Sequence, residues 1–380
     1  MSSLRRAFVA FALASAAILS WMGSRPAAAP AYTYHLYVDE VRDLGTLLGH
    51  VWSEAHAINE LGAIAGSSET ESGVRRAVQW SSPTASPQNL SHLGGGWSEA
   101  WGINDSGVIV GNSRSSGSDA WRAFRWTTAA GMIDLGVTGN VLGSDTVVTS
   151  TAEDINNVGV IVGNFRHKGS AHRGYLLGWG KAVVPHCGGS GSFLLESTAQ
   201  AVNDSGYFTG HVDCAYGQWL VPYRATLSEL IEIGPAMQAG GDRGYGIDAA
   251  GRVVGGMMML VDGVPRYHAF RWSPTAGLKD LHTPGDLTYE SVARGINTNG
   301  LIVGTKTGDL YSRAFVYGQG IGMTTLPSLC SSWFAIPWSA AYAVNDSGWV
   351  VGGSRTCSGD YHATLWKVRV VAFQIPSSQP

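Results

Sequence analysis

SEAWGINDSGVIVGNS, residues 98–113, sets an Asn-Asp-Ser-Gly turn between two apolar runs, and close variants of it occur seven times along the 380-residue chain. The shared core is a small residue, Ile or Val, then Asn, two variable residues, Gly, a short apolar run and a second Gly. The Asn position falls at Asn59, Asn104, Asn156, Asn203, Asp248, Asn297 and Asn345, with spacings of 45, 52, 47, 45, 49 and 48 residues. Self-similarity at such a period is the signature of a repeat architecture. Three residues after each Asn stand Gly62, Gly107, Gly159, Gly206, Gly251, Gly300 and Gly348; seven after stand Gly66, Gly111, Gly163, Gly210, Gly255, Gly304 and Gly352. An Asx residue followed three positions on by Gly suits a tight hairpin turn, the Asx side chain bonding nearby backbone and the Gly taking positive φ.

The strand before the turn follows its own rule. Four residues before the Asn position lie six Ala and Gly244; two before lie Ala57, Gly102, Asp154, Ala201, Gly246, Gly295 and Ala343; six before, Ser recurs in six units. Read as plain alternation, one face of this strand is small, as expected where strands crowd around an axis. Downstream comes a strand that begins with a basic and a small residue, at Arg76, Arg122, Arg173, Arg224, His268, Arg313 and His362. Upstream lies a short strand typified by RDLGTL (42–47), MIDLG (132–136) and LKDL (278–281). Four short strands per unit, seven units and no helical pattern predict an all-β, seven-bladed β-propeller of four-stranded blades. A β-solenoid is the alternative, for which the period is long. The strand at 42–47 is expected to close the ring beside 361–367. The segment 368–375 either competes for that edge or covers it.

DLGTL (43–47), AHAINELGAIAGSS (55–68), INDSGVIVGNS (103–113) and HAFRW (268–272) together resemble the HAF repeat of bacterial extracellular proteins. The resemblance runs over residues 32–380, although the full His-Ala-Phe triplet stands only at His268-Ala269-Phe270 and Arg replaces His in five units. It implies export and repetition and carries no common activity.

Composition agrees with export of a β-rich globular chain. Hydrophobic residues make up 44% and charged ones 14%, enough for a large core, while 51 glycines punctuate the chain too densely for long helices. Residues 1–31 read as a secretory signal: Arg5 and Arg6, an apolar stretch too short for a confident span, and Ala29-Pro30-Ala31 before Tyr32. The paired arginines also resemble a twin-arginine signal. Residues 32–380 then form one seven-repeat domain, secreted or periplasmic, with no further membrane span. Losing three arginines and no acid takes the formal charge from −3 to −6, which argues against a nucleic-acid partner. Nothing in the sequence speaks to oligomeric state.

Residues required in every unit point to framework. The seven Arg or His residues are therefore assigned structural hydrogen bonds, to the recurring Ser or to backbone, and the Asn its turn. Binding belongs where the units differ. Three residues before the Asn position stand His56, Trp101, Glu153, Gln200, Tyr245, Arg294 and Tyr342, expected near the channel mouth. Trp121 and Trp219 join them from the loops between second and third strands, and Trp97 and Trp338 from the inter-unit connections. Such aromatics beside carboxylates and amides stack on sugars or anchor a protein partner, the alternative being interblade packing. The leading reading is thus an exported module that binds a glycan or a protein. A polysaccharide hydrolase or lyase using Glu54, Glu99, Glu153 and Arg294 is the alternative.

Catalytic motifs are missing: no H-E-x-x-H, no G-x-S-x-G, no phosphate-binding G-x-x-x-x-G-K. No catalytic residue, cofactor or metal site is assigned. Glu153 and Asp154, adjacent in a strand, are expected on opposite faces, a poor acid/base geometry. Cys187 and Cys214 are 27 residues apart, as are Cys330 and Cys357, at matching offsets in two units. With export these predict two disulfides, Cys187–Cys214 and Cys330–Cys357, each within one blade.

Overall fold

In the unit built around Asn104, the Gly107 N–H donates to Asn104 O (2.9 Å), and Asn104 N–H donates to Val108 O (3.1 Å). Val108 N–H donates to Asn104 Oδ1 (3.0 Å), so side chain and backbone close the turn together. The Gly three residues after the Asx position takes a φ between 72° and 90° in all seven units, the left-handed region open to glycine. These turns belong to a computed structural model that describes residues 32–117, 120–137, 147–168, 171–178, 181–184, 196–213, 220–234, 241–282, 290–308, 311–330 and 338–375. Residues 1–31, expected as a leader, and Cys187, Cys214 and Trp219 lie outside the described residues.

The described chain is built of strands. β1 (Tyr32–Asp43) precedes β2 (Trp52–Ile58), β3 (Ile64–Glu69), β4 (Arg75–Trp80) and β5 (Gln88–Asn89). Next come β6 (Gly94–Ile103), β7 (Ile109–Ser115), β8 (Trp121–Thr127) and β9 (Gly131–Asp134). β10 (Val147–Ile155), β11 (Ile161–His167), β12 (His172–Leu177) and β13 (Lys181–Val183) follow. Then come β14 (Ala201–Val202), β15 (Phe208–Asp213), β16 (Leu220–Ala225) and β17 (Leu230–Glu232). β18 (Arg243–Ile247), β19 (Val253–Val261), β20 (Val264–Ser273) and β21 (Gly277–Asp280) form the next group. The last are β22 (Glu290–Ile296), β23 (Ile302–Thr307), β24 (Ser312–Gly318), β25 (Gly322–Thr325), β26 (Ser339–Val344), β27 (Trp349–Arg355) and β28 (Tyr361–Gln374).

Each consecutive group of four from β6 to β25 is an antiparallel sheet in sequence order, and one larger sheet runs β26-β27-β28-β2-β3-β4-β5 with β1 on β28. Within that larger sheet β28 meets β2 at a single parallel pair, Tyr361 with Trp52. β1 pairs with β28 from Tyr32↔Gln374 to Asp43↔Thr364. The partner of the 361–367 strand thus begins earlier than the expected residue 42 and ends at Asp43, so residues 44–47 are not strand. The 368–375 segment is no competitor for the edge: Val368 to Gln374 continue β28 and pair with β1.

A register shift recurs in the first strand of the sheets. It falls between Ala55 and Ala57, Ala100 and Gly102, Ala152 and Asp154, Gly244 and Gly246, Ala293 and Gly295, and Ala341 and Ala343. Each is a β-bulge that leaves one extra residue on the first strand. The bulge corrects the one-face reading of the small residues, because it flips the parity of the strand. Ala55 packs with Val351 and Ala363 of the last strands, whereas Ala57 packs toward Ala100 and Phe124 of the next sheet.

Side chains tie each repeat unit to the next. Asn59 Nδ2 donates to Asn104 O (3.0 Å), Asn104 Nδ2 to Asn156 O (3.1 Å), Asn156 Nδ2 to Asn203 O (2.9 Å) and Asn203 Nδ2 to Asp248 O (2.7 Å). Asn297 Nδ2 donates to Asn345 O and Asn345 Nδ2 to Asn59 O, both at 3.0 Å. The recurring Ser makes a second set. Its Oγ accepts the N–H of the small residue in the preceding sheet's third strand, as in Ala77 to Ser98 (3.0 Å), Ala123 to Ser150 (3.1 Å) and Ala363 to Ser53 (2.9 Å). The Ser thus serves the residue after the Arg/His position, while Arg76 Nη1 donates to backbone, to Arg75 O (3.0 Å) and Gly96 O, as the other expectation had it. The two histidines at that position instead pair with carboxylates of the outermost strand, His268 with Asp280 (2.9 Å) and His362 with Asp43 (2.8 Å).

Cys330 and Cys357 are disulfide-bonded, tying the segment before β26 to the turn between β27 and β28. Replacing both by Ser should lower the melting temperature by about 5 °C, read by circular dichroism, because the cross-link restrains the unfolded chain.

Candidate functional site

The six bulge residues His56, Trp101, Glu153, Tyr245, Arg294 and Tyr342, with Gln200 at the matching repeat position, line one cavity of about 780 Å³ where the first strands converge. The bulge is the physical cause, since it turns the extra residue and its successor toward the same space. Asp154, Ala201, Gly246, Gly295 and Ala343, one position on, line the same cavity. Small residues suit that row because a Cβ on Gly102 would lie 2.9 Å from Asp154 Cα, and one on Gly295 would lie 2.8 Å from Tyr342 O. Glu153 and Asp154 therefore share the cavity, and their expected placement on opposite faces is overturned.

The two carboxyls sit in different hydrogen-bond settings. Burial raises Glu153 above the usual carboxylate range, against donors from Thr151 Oγ1 (2.6 Å) and Asn164 Nδ2 (3.2 Å). Burial pushes Asp154 up to about 7, although it accepts the N–H groups of Val202 (2.9 Å) and Ile155 (2.8 Å). A carboxyl whose folded pKa exceeds its unfolded value favours folding in its protonated form. That stability is complete below pH about 4 and is lost as pH rises through about 7. The melting temperature should fall between pH 4 and pH 8, and Asp154→Asn should at least halve that fall.

His56 sets the opposite wall. Its Nδ1–H donates to Ala100 O (2.8 Å), its Nε2 faces Glu54 Oε2 (3.3 Å), and its ring stacks on Trp101 with centroids 4.1 Å apart. Burial opposes its charge, but the Glu54 hydrogen bond and the charges of Glu54 and Glu99 prevail and raise its pKa. Burial likewise opposes ionisation of Glu54, yet the His56 bond and charge hold that carboxyl below its ordinary range. Glu99 is bound to Arg75 and lines neither this cavity nor the next.

A second cavity, about 630 Å³, opens beside the first and shares Arg294 and Tyr342 with it. Trp52 and Tyr361 stack at 6.0 Å with planes 19° apart on its wall, and Trp338, 50% exposed, stands at its rim. Glu54 Oε1 accepts from Tyr361 OH (3.3 Å). Trp97 and Trp121 meet edge to face at 4.5 Å and line neither cavity. Asp154, Arg243, Glu290 and Arg355 line the cavities without having been singled out for binding. Only Asp154 carried a signal, as the one charged residue in a small-residue row.

Among the described residues no three His, Cys, Asp or Glu side chains are grouped to hold a metal ion, and no helix is long and apolar enough to cross a membrane. The β-propeller domain of the Trilobed protease from Pyrococcus furiosus is similar, with a TM-score of 0.56 and 7% identity over 83% of this chain and 94% of that one. A prolyl endopeptidase structure matches with a TM-score of 0.51 and 12% identity over 85% of this chain, which spans about half (51%) of that one. A variant of Aleuria aurantia lectin in complex with α-methyl-L-fucoside gives a TM-score of 0.39 and 11% identity over 86% of this chain and 96% of that one. The fold is a β-propeller. No protein family matches the sequence, and neither does any curated protein.

Proposed function

We propose that this chain is an exported binding module that holds a saccharide in the cavity walled by Trp52, Tyr361, Trp338 and Tyr342. The observation that carries the reading is that wall, a stacked aromatic pair and an exposed indole beside fixed polar groups. Apolar faces with a few placed hydrogen-bonding groups suit a sugar ring. Export follows from the leader and the HAF-repeat resemblance, and the disulfide is compatible with it. We read the propeller as seven-bladed and closed, dividing the large sheet at the single Tyr361–Trp52 pair into β26-β27-β28-β1 and β2-β3-β4-β5. The bonds from Asn345 to Asn59 and from Ala363 to Ser53 support this, since they repeat across the chain ends the links made between other consecutive sheets.

A glycan array with Trp338→Ala as control tests the reading. Binding to a defined set of saccharides, weakened about tenfold or more by the substitution, is the expected result, and no binding to any saccharide overturns it. A second reading, polysaccharide cleavage in the channel, draws on Glu153 and Asp154 sharing one cavity with raised pKa values. Release of reducing ends, abolished by Glu153→Gln, would favour it over binding alone.

A further inference from the structure

We propose that Arg294 is an anion-binding residue and that the saccharide carries a carboxylate, as a uronic acid does. This rests on the saccharide reading and names the class of ligand. Arg294 is the bulge residue of β22 and lines both cavities, so its guanidinium stands in the wall between rim and channel. Two tyrosines hold it, with Cζ 4.3 Å from the Tyr245 ring centroid and 5.8 Å from that of Tyr342. Its Nε is buried with no hydrogen-bond partner, and among the described residues no carboxylate pairs with the guanidinium. Arg294 is half-buried with its Nε shielded from water, and aromatic faces recover only part of the hydration lost there, so an anion reaching the guanidinium gains a partner that the protein does not supply.

The acids that line the two cavities do not supply that anion: Asp154 is bonded to backbone N–H groups and Glu196 to His211, and Glu290 makes no ion pair with Arg294. Glu54 is tied to His56 and Tyr361, and Glu153 to Thr151 and Asn164. The planar fork of a guanidinium matches a carboxylate in two parallel hydrogen bonds. The Trp338 indole, half exposed on the same cavity, offers the apolar face that the sugar ring needs. A second cation, Arg355, lines that cavity as well, its Nε–H committed to Gly359 O (3.0 Å).

The test compares oligogalacturonate with the same oligosaccharide after reduction of its carboxyls, by calorimetry on the wild-type protein. Binding of the acid form at least tenfold tighter is expected, and Arg294→Met should bring the two affinities together. Equal affinities in the wild type, discrimination that survives Arg294→Met, or preference for a sulfated sugar over the uronate would each overturn the proposal. The Arg294 Nε–H resonance, followed by NMR during titration with acetate, a carboxylate that is not a sugar, separates the anion site from the saccharide reading. A shift with acetate but no binding of any saccharide keeps the anion site and overturns the saccharide module. No shift at saturating acetate or galacturonate overturns the anion site.

Discussion

Gly111→Ala should cost about 4 kcal/mol or more, while Gly107→Ala, four residues earlier in the same hairpin, should cost about 1 to 2. A Cβ on Gly111 would fall deep inside the van der Waals shell of Glu99 O, with Ala100 Cα and the Phe124 ring each 2.9 Å away. None of these can retreat: Glu99 and Ala100 are backbone of the paired first strand, and Phe124 is fully buried. The same first-strand carbonyl confronts Gly66, Gly163, Gly210, Gly255, Gly304 and Gly352, through Glu54, Thr151, Thr198, Arg243, Val292 and Ala340. Gly107 is a different case, with φ 73° and nothing within 4 Å of its would-be Cβ. Its demand is conformational, so Gly107→Asn should be milder than Gly107→Ala. Urea unfolding followed by tryptophan fluorescence reads all three, and equal costs for Gly107→Ala and Gly111→Ala would refute the distinction.

Both glycines were equally visible in the sequence, and only the turn glycine had its cause legible there. Asx and Gly at a fixed offset encode a local conformation, which needs no knowledge of neighbours. The second glycine answers to a carbonyl on the partner strand, a contact that no single strand declares. The same limit explains the bulge. A one-residue register shift has no residue type of its own, so plain alternation put Glu153 and Asp154 on opposite faces and Ala55 and Ala57 on one. The seven variable positions were picked by comparing units and not by parity, so the bulge does not disturb that choice, and these residues line one cavity. Arg294 shows what lay beyond reach: its isolation depends on Glu54 and Glu153 being engaged elsewhere, through residues distant in sequence.

Asn104→Ala should cost about 3 kcal/mol, more than the 0.5 to 2 kcal/mol of a turn or capping side chain alone, because this amide works in two places. Its Oδ1 accepts from Val108 N–H and its Nδ2 reaches Asn156 O in the next sheet, so truncation orphans the Val108 donor and strips Asn156 O of its inter-unit bond, leaving it only the Gly159 N–H. Repeat five carries Asp248 here and has no amide to donate. Its carboxylate accepts the Arg252 N–H (2.8 Å) and pairs with the Arg252 guanidinium, whose Nη2 donates to Thr298 O (2.9 Å) in the following unit. The Asp and the Arg four residues later thus do together what Asn does alone. The substitution is transferable on that account. Asn104→Asp alone should cost about 2 kcal/mol, because it keeps the turn bond but sets a carboxylate against Asn156 O. Adding Val108→Arg, the position matching Arg252, should return about 1 kcal/mol in a double-mutant cycle. If the two changes prove additive in urea unfolding, Arg252 is a surface charge and not the link between its unit and the next.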